Sequence, residues 1–462
     1  TDDQRFDTLR ALGNDQIHTP NLDRLVAEGT TFTHACIMGG SAPAVCMPSR
    51  AMLMTGRYLF HLENRGYNIP AEQATMPETL RAAGYHTHHV GKWHQDRGSF
   101  NRGFHSADRI FGFTDGWYET YGGHWNVAVH DYDPSGAYPP DSGYMVAADK
   151  TTRLPIGTAV GGVHSSEMFA DAAIDFLDRR GGENGPDEDQ PFFMYLSFVA
   201  PHDPRQSPNE FEEMYSTENV SLPPNYKPEH PFDNGELHIR DERLEAWPRR
   251  PHAVRRHIAD YYAIISHADA EIGRVVQKLK DCGEYDNTLI VFAGDNGLAV
   301  GQHGLMGKQN LYDHSIRVPL IFCGPGIPKD TRTDSLCYLL DIFPTLCDYL
   351  DLPVPESVDG ISLLPAIETP DKQLRRSQYY GYCACQRAVR NKRYKLIENL
   401  GGGMQTTQLF DLQTDPAETH NVADDESHKD TLGVLRREMH KWRETTGDTR
   451  ELEQKFWDGV TI

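Results

Sequence analysis

Apolar positions along the chain fall into two spacings, and their order predicts an α/β fold. Residues 191–199 form a near-continuous apolar run centred on Phe192-Phe193-Met194-Tyr195-Leu196, the pattern of a strand covered on both faces. Residues 287–293 and 318–323 repeat that pattern. Over 252–281 the spacing changes. Ile258, Tyr261, Tyr262, Ile265, Ala268, Ile272, Val275 and Val276 recur at steps of three and four, which predicts a long amphipathic helix. Shorter helices are predicted at 21–27, between Pro20 and Gly29, and at 78–83, ending at Gly84, with a strand at 85–90. Strands alternating with helices mean a mixed, largely parallel sheet flanked by helices. Residues 98–160 and 204–250 are weakly periodic and predict long loops, which in a compact protein usually carry function. Beyond 370, short runs at 379–389, 393–396 and 408–412 predict a meander, followed by a helix at 432–445. The expected organisation is a main domain over 1–370 and a smaller antiparallel-sheet subdomain over 371–462.

Charge narrows the function. The 462 residues hold 45 Lys and Arg against 67 Asp and Glu, a formal charge of −22, with no long basic run. Nucleic acid as a partner requires a basic footprint and is excluded on that ground. No stretch is apolar for about 18 residues, so no membrane span is expected. An anionic substrate would be repelled by the whole surface, so any anion site must be a local cationic pocket inside an acidic body.

Such a pocket is legible in four segments. Cys46-Met47-Pro48-Ser49-Arg50 continues into Leu53-Met54-Thr55-Gly56-Arg57, with Arg50 one helical turn from Cys46. Gly84-Tyr85-His86-Thr87 runs into Gly91-Lys92-Trp93-His94, where continued strand geometry would point Lys92 and His94 to the same side. Asp295 and Asn296 follow the strand at 287–293, and a carboxylate and an amide oxygen at a strand end suit a hard divalent cation, with Asp2-Asp3 as natural partners. Three acidic residues plus Asn296 favour Ca²⁺ over Mg²⁺, which demands stricter geometry and more water. His202 lies in Pro201-His202-Asp203-Pro204 just after the strand 191–199, and Lys308 in Gly307-Lys308 ahead of Arg317-Val318-Pro319.

Together these segments resemble the signatures of the type I, formylglycine-dependent sulfatases of the alkaline phosphatase superfamily, among them bacterial aryl and polysaccharide sulfatases. Tyr394-Lys395-Leu396 and Leu409-Phe410-Asp411-Leu412 through Asp415-Pro416-Ala417-Glu418 are similar to segments near that family's C-terminus. The resemblance implies an alkaline-phosphatase-like fold and a sulfuric ester hydrolase. It implies that a formylglycine-generating maturase oxidises Cys46 to 3-oxoalanine. A plain thiol would form a thiosulfate ester with no easy exit; a hydrated aldehyde has one hydroxyl to take the sulfate and a second to expel it. By the same resemblance Arg50 holds the diol, Lys92 binds a sulfate oxygen, His94 orients the diol and either His202 or Lys308 is the general acid. One Ca²⁺ would be held by Asp2, Asp3, Asp295 and Asn296 with the modified Cys46. In that family a core strand precedes the Asp pair. None precedes Asp2 in this sequence, so residues upstream of Thr1 are expected.

The loops between 61 and 125 and around 203–206 are expected to line the substrate pocket. Candidates are His61, Asn64, His105, Trp117, Tyr118, His124, Trp125, Asp203 and Arg205, with His303 from the segment before Lys308. Their aromatic and histidine density suits a sulfated carbohydrate. Polysaccharide sulfatases of bacteria work in the periplasm or outside the cell, and that is the expected location. Eight cysteines occur, with no CxxC pair, and consuming Cys46 leaves an odd seven, which argues against a full disulfide framework. Two alternatives stay open: a phosphonate or phosphate ester hydrolase of the same superfamily, and a non-catalytic carbohydrate-binding relative.

Overall fold

The computed structural model describes residues 1–114, 123–130, 144–146, 153–155, 158–159, 162–182, 187 and 189–462. In chain order its principal elements are α1 (Pro20–Glu28), β1 (Thr30–Phe32), α2 (Cys46–Thr55), α3 (Met76–Ala82), β2 (His86–Lys92), α4 (Arg97–Gly103), β3 (Ser106–Phe111), α5 (Ser165–Arg179), β4 (Phe192–Ser197), α6 (Pro251–Asp281), β5 (Ile290–Ala293), β6 (Leu320–Cys323), β7 (Thr331–Thr333), β8 (Gln378–Tyr382), β9 (Gln386–Arg390), β10 (Tyr394–Gly401), β11 (Met404–Asp411), α7 (Lys429–Thr446) and α8 (Glu451–Gly459). Two sheets form the centre. One runs β4-β2-β3, parallel throughout; the other runs β5-β6-β1-β7, with β6 antiparallel to both neighbours and β1 parallel to β7. A mixed α/β core with parallel pairing dominant is what the apolar pattern predicts.

Local sequence explains the helices that matter. Helix α6 begins on Pro251, whose missing N–H costs nothing in a first turn, and buries the predicted stripe, including Ile258, Tyr261, Tyr262 and Ile265. Helix α2 is buried at every residue, so it has no solvent face to make polar. It stops at Gly56, whose φ of +65° caps the helix in the left-handed region.

Some expectations need correction. Within the stretch read as loops at 98–160, α4 and β3 are regular, and β3 pairs with β2 from His88 opposite Ser106 to Lys92 opposite Phe111. Its sequence, Ser-Ala-Asp-Arg-Ile-Phe, alternates too weakly to be recognised without its partner. The predicted strand at 379–389 is a hairpin, β8 and β9, turning at 383–385. Strand β6 is fully buried as expected, whereas β4 and β5 are only half-buried. Both are sheet edges lining one cavity of about 600 Å³, together with Tyr85, Leu289 and Ile342.

The C-terminal sheet, β11-β10-β9-β8, is antiparallel within itself and pairs in parallel with Gly39–Gly40 at its β8 edge. It therefore reaches back to the segment that leads into Cys46. No helix among the described residues is long and apolar enough to cross a membrane.

Candidate active site

The C-terminal ends of β2, β4 and β5 converge on the first turn of α2. This is where open α/β sheets place ligands. Cys46 opens α2 and is buried. Its Sγ lies 3.5 Å from Lys92 Nζ, 3.5 Å from His94 Nδ1 and 3.9 Å from Lys308 Nζ. Lys92 is the last residue of β2. His94 does not continue the strand: it sits at φ +72°, and this left-handed turn, not strand alternation, brings both side chains to the sulfur.

Carboxylates alternate with the cations. Lys92 Nζ pairs with Asp2 Oδ2, and Lys308 Nζ with Asp3 Oδ1. Arg50 reaches Asp295 Oδ2 at 2.8 Å and Asp2 Oδ2 at 3.4 Å, and also donates to Lys92 O and Tyr195 Oη at 3.1 Å each and to Ser197 Oγ. It is thus the clamp that fixes α2 to the ends of β2 and β4. His202 Nε2 stands 3.9 Å from Asp3 Oδ2, while its Nδ1–H donates to Asp203 O at 2.8 Å. Burial alone would raise the Asp2 carboxyl, but Lys92 and Arg50 outweigh it and hold it well below the usual range. For Asp3 burial wins over Lys308, and its carboxyl is raised. Burial pushes the Cys46 thiol up to about 11 against the pull of Lys308 and Lys92, so it is a thiol at neutral pH. Burial and then Lys92 keep the His94 imidazole well below its usual range, hence neutral.

The oxygens fit a metal. Asp2, Cys46 and Asp295 each bring a ligand atom within 4.8 Å of the others, as do Asp2, Asp3 and His202. Asp2 Oδ1 and Asn296 Oδ1 are buried with no hydrogen-bond partner, an expensive arrangement for two acceptors unless a cation satisfies them. Asn296 is oriented by its own Nδ2, which donates to Asp3 Oδ1 at 2.7 Å and to Gly297 O at 3.0 Å. Carboxylate and amide oxygens are hard donors, suited to Ca²⁺.

Comparison with known proteins identifies the class. The sulfatase family model matches residues 1–352. The chain belongs to the sulfatase family, within the alkaline phosphatase superfamily, and is a sulfuric ester hydrolase. A second model, the C-terminal region of N-sulphoglucosamine sulphohydrolase, matches residues 301–445. An arylsulfatase of Clostridium perfringens is 29% identical over 475 residues, covering 95% of this chain and 92% of that protein. Among solved structures, a protein in complex with its substrate D-glucosamine-2-N,6-O-disulfate superposes with a TM-score of 0.76 at 21% identity, covering 98% of both chains. A phosphonate monoester hydrolase of Agrobacterium radiobacter gives 0.74 at 24% identity, covering 96% of this chain and 94% of that one. These two likenesses show a shared fold.

The sulfatase's predicted pocket residues divide. Asn64 is exposed on a turn whose Gly66 packs against Pro48 and Ala51 of α2, which sets it above the helix that Cys46 opens. Asp203 is gripped by Arg240, 2.9 Å from Oδ1, and Arg205 donates to His257 Nδ1 at 3.2 Å over the face of Tyr261. His303 is buried, stacked on Tyr312 at 3.9 Å, and fixed by Asn225, so it shapes the turn before Lys308. His61 is tied to Asp359 at 2.8 Å. His105 stacks on His86 and bonds Thr87. That is the opposite end of β2 from Lys92, roughly 16 Å along the strand, so His105 is removed from the cluster around Cys46. Trp125 packs edge-on against His164. Trp117 and Tyr118 lie outside the described residues.

Several supporting residues carry no recognisable signal in sequence. Tyr195 and Ser197, which hold Arg50, read as members of an apolar strand; their spacing of two places them on one face. Tyr261, whose hydroxyl bonds Asp3 O at 2.5 Å and accepts from Arg5 N at 2.9 Å, reads as one more position of the α6 stripe.

Proposed function

We propose that this sulfatase removes sulfate from a sulfated carbohydrate, using a formylglycine formed from Cys46 by a maturase and one Ca²⁺ held by Asp2, Asp3, Asp295 and Asn296. The observation that carries the reading is the convergence of Lys92 and Lys308, with neutral His94, within 4 Å of Cys46 Sγ, two cations facing the place of an anion inside an acidic protein. The modified side chain would supply a hydrated aldehyde, one hydroxyl to attack sulfur and one to release sulfate. The metal would polarise sulfate oxygens as a Lewis acid.

The residues of the chain itself do the rest. Lys92 and Lys308 neutralise the sulfate from two sides and favour the charge that develops on its oxygens. Neutral His94 orients the group at 46 through Nδ1. Arg50 holds Asp2 and Asp295 in place beside the lysines, so the carboxylates that would bind the metal stay at the strand ends. His202 is positioned as the general acid. With Nδ1–H already committed to Asp203 O, its Nε2 faces the cluster, and an imidazolium that delivers the Nε2 proton to the leaving oxygen is left in the tautomer the carbonyl stabilises. Asn64, Asp203 and Arg205, with Arg240 beside them, are the rim groups for a sugar. The location that goes with a sulfated polysaccharide substrate is the periplasm or the outside of the cell, and we propose it on that ground alone.

A second reading, hydrolysis of phosphonate or phosphate monoesters, is favoured by the fold shared with the phosphonate monoester hydrolase. One experiment separates the two: kcat/KM for a panel of monosaccharide sulfates against the matching phosphate and phosphonate monoesters. A preference of at least about 10²-fold for a sulfated sugar is expected. An equal or greater preference for the phosphorus esters would replace the proposal with the second reading.

A further inference from the structure

The loop that carries His202 is held from behind by two histidines. His124 was expected at the substrate, yet it is fully buried, and its Nε2 lies 3.0 Å from the carbonyl oxygen of His202. A carbonyl only accepts, so Nε2 carries the proton. Its other nitrogen, Nδ1, lies 2.6 Å from Ser165 Oγ at the start of α5. His164 repeats the arrangement one step along. Its Nδ1 accepts the backbone N–H of Ser166 at 3.1 Å, capping α5, which leaves the proton on Nε2, 2.9 Å from Gln206 O. Gln206 closes the frame: its Oε1 accepts from the His124 N–H at 3.2 Å. The two imidazoles stack with centroids 4.8 Å apart and planes within 9°. His267, itself near Glu167 and Glu271, packs against His164 at 4.4 Å. Burial depresses the basicity of both rings, which fits the neutral tautomers that the hydrogen bonds require.

We infer that His124 and His164 are positioning residues for proton transfer. They act as a neutral double-imidazole clamp, anchored on α5, that fixes the carbonyls at both ends of the 202–206 loop and so aims His202 Nε2 at the leaving oxygen. The inference rests on the reading of His202 as the general acid. It follows from three features together. The grip is on the backbone of the acid residue itself. Each ring's second nitrogen is held by a separate bond at the α5 terminus. Neither ring is presented to solvent as a sugar-binding group would be.

Proton donation matters only when the leaving group is poor, so the clamp should reveal itself in leaving-group dependence. The experiment compares 4-nitrophenyl sulfate with phenyl sulfate for the unmodified enzyme, His202→Ala, His124→Phe and His124→Gln, each matured and loaded with Ca²⁺. His202→Ala should lose about 10²-fold in kcat on phenyl sulfate and much less on 4-nitrophenyl sulfate. His124→Phe should show the same skew at about 10-fold, with KM little changed, and His124→Gln, which keeps a donor within reach of His202 O, should recover most of it. If His202→Ala is skewed but His124→Phe lowers both substrates equally or neither, the clamp is wrong and the general-acid reading stands. If His202→Ala shows no skew, the general-acid reading itself fails. Histidine ¹⁵N spectra of His124→Phe then decide the clamp separately: shifted or broadened His202 ring signals are expected, and unchanged signals would overturn it.

Discussion

Two deeply buried knots of charge among the described residues bear comparison, one around Cys46 and one at the C-terminal sheet. Around Cys46, Asp2, Asp3 and Asp295 meet Arg50, Lys92 and Lys308. About the C-terminal sheet, Asp313 and Glu418 meet Arg390, Lys395 and Arg317. Both perturb titration: Asp313, like Asp2, is held well below the usual carboxylate range, its cations Arg390 and Lys395 outweighing burial. Perturbed acidity therefore does not mark a functional site by itself. Saturation separates the two. In the second knot every carboxylate oxygen stands within ion-pair distance of a cationic nitrogen or accepts a backbone N–H: Glu418 Oε1 makes no hydrogen bond but lies 2.7 Å from Lys395 Nζ, and Glu418 Oε2 accepts from Asp313 N at 2.8 Å. In the first, Asp2 Oδ1 and Asn296 Oδ1 have no partner, and the cations turn toward a side chain at 46 that carries no charge to match them. One knot is closed and joins the sheets; the other is left incomplete by two oxygens, and its lysines face residue 46 as well as their carboxylates.

The contrast can be broken by substitution. Cys46→Ala should abolish turnover, by at least about 10⁴-fold in kcat, with the thermal midpoint nearly unchanged. Lys308→Ala or Lys92→Ala should lower kcat/KM about 10²- to 10³-fold. Lys395→Met in the closed knot should do the reverse: about 3–5 kcal/mol lost in denaturant unfolding, because it leaves buried Glu418 without its cation and Asp313 with its arginines alone, with kcat per folded molecule retained. Equal effects of Lys308 and Lys395 on kcat would erase the distinction drawn here.

Much of the open knot was legible in sequence through the joint resemblance of its segments to the sulfatase signatures. A Lys two residues before a His, or an Asp pair near a terminus, means little alone; read together with Cys-Met-Pro-Ser-Arg and the Asp-Asn pair after an apolar strand they point to one site, and the structure brings Cys46, Arg50, Lys92, His94, Lys308, Asp2, Asp3, Asp295 and Asn296 together. What supports them was not legible. Tyr195, Ser197 and Tyr261 lie in segments whose periodicity explains them fully as core, and only tertiary contact gives them polar partners. Two of the substrate candidates went the other way: density of His and Trp picked out His105 and His124, whose partners are Thr87 and the His202 carbonyl. The fold followed the same rule. Long periodic segments such as α6 and β6 are fixed locally, whereas β3 exists through its pairing with β2, which no local pattern records.

Metal removal sharpens the comparison further. Chelation should abolish activity and lower stability by about 3 kcal/mol relative to Ca²⁺ at 100 times its Kd, measured as a fall in thermal midpoint that Ca²⁺ reverses. The closed knot has no such dependence, so Lys395→Met should leave the Ca²⁺-induced shift intact. The smallest effect is in pH. His314, beside the closed knot, is buried with neither ring nitrogen hydrogen-bonded, and burial holds it well below the usual 6.5. The unfolded chain then binds the additional proton, so this contribution is complete above about pH 6.5 and is lost progressively as pH falls below it. His314→Phe, which keeps the ring against Tyr312, should flatten the slope of unfolding free energy between pH 6 and 5 by about 1 kcal/mol per unit.

The central claim is that the two unpartnered oxygens and the lysines facing residue 46 are there for a metal ion, a modified residue 46 and the sulfate it takes up. The most direct measurement is the mass of the peptide containing Cys46 after co-expression with a formylglycine-generating maturase. The account predicts a peptide lighter than the cysteine form by about 18 Da, with hydration restoring that difference, and activity in proportion to the converted fraction. A peptide that keeps its thiol mass while a control sulfatase in the same cells is converted, in a preparation that still hydrolyses sulfate esters, would contradict it.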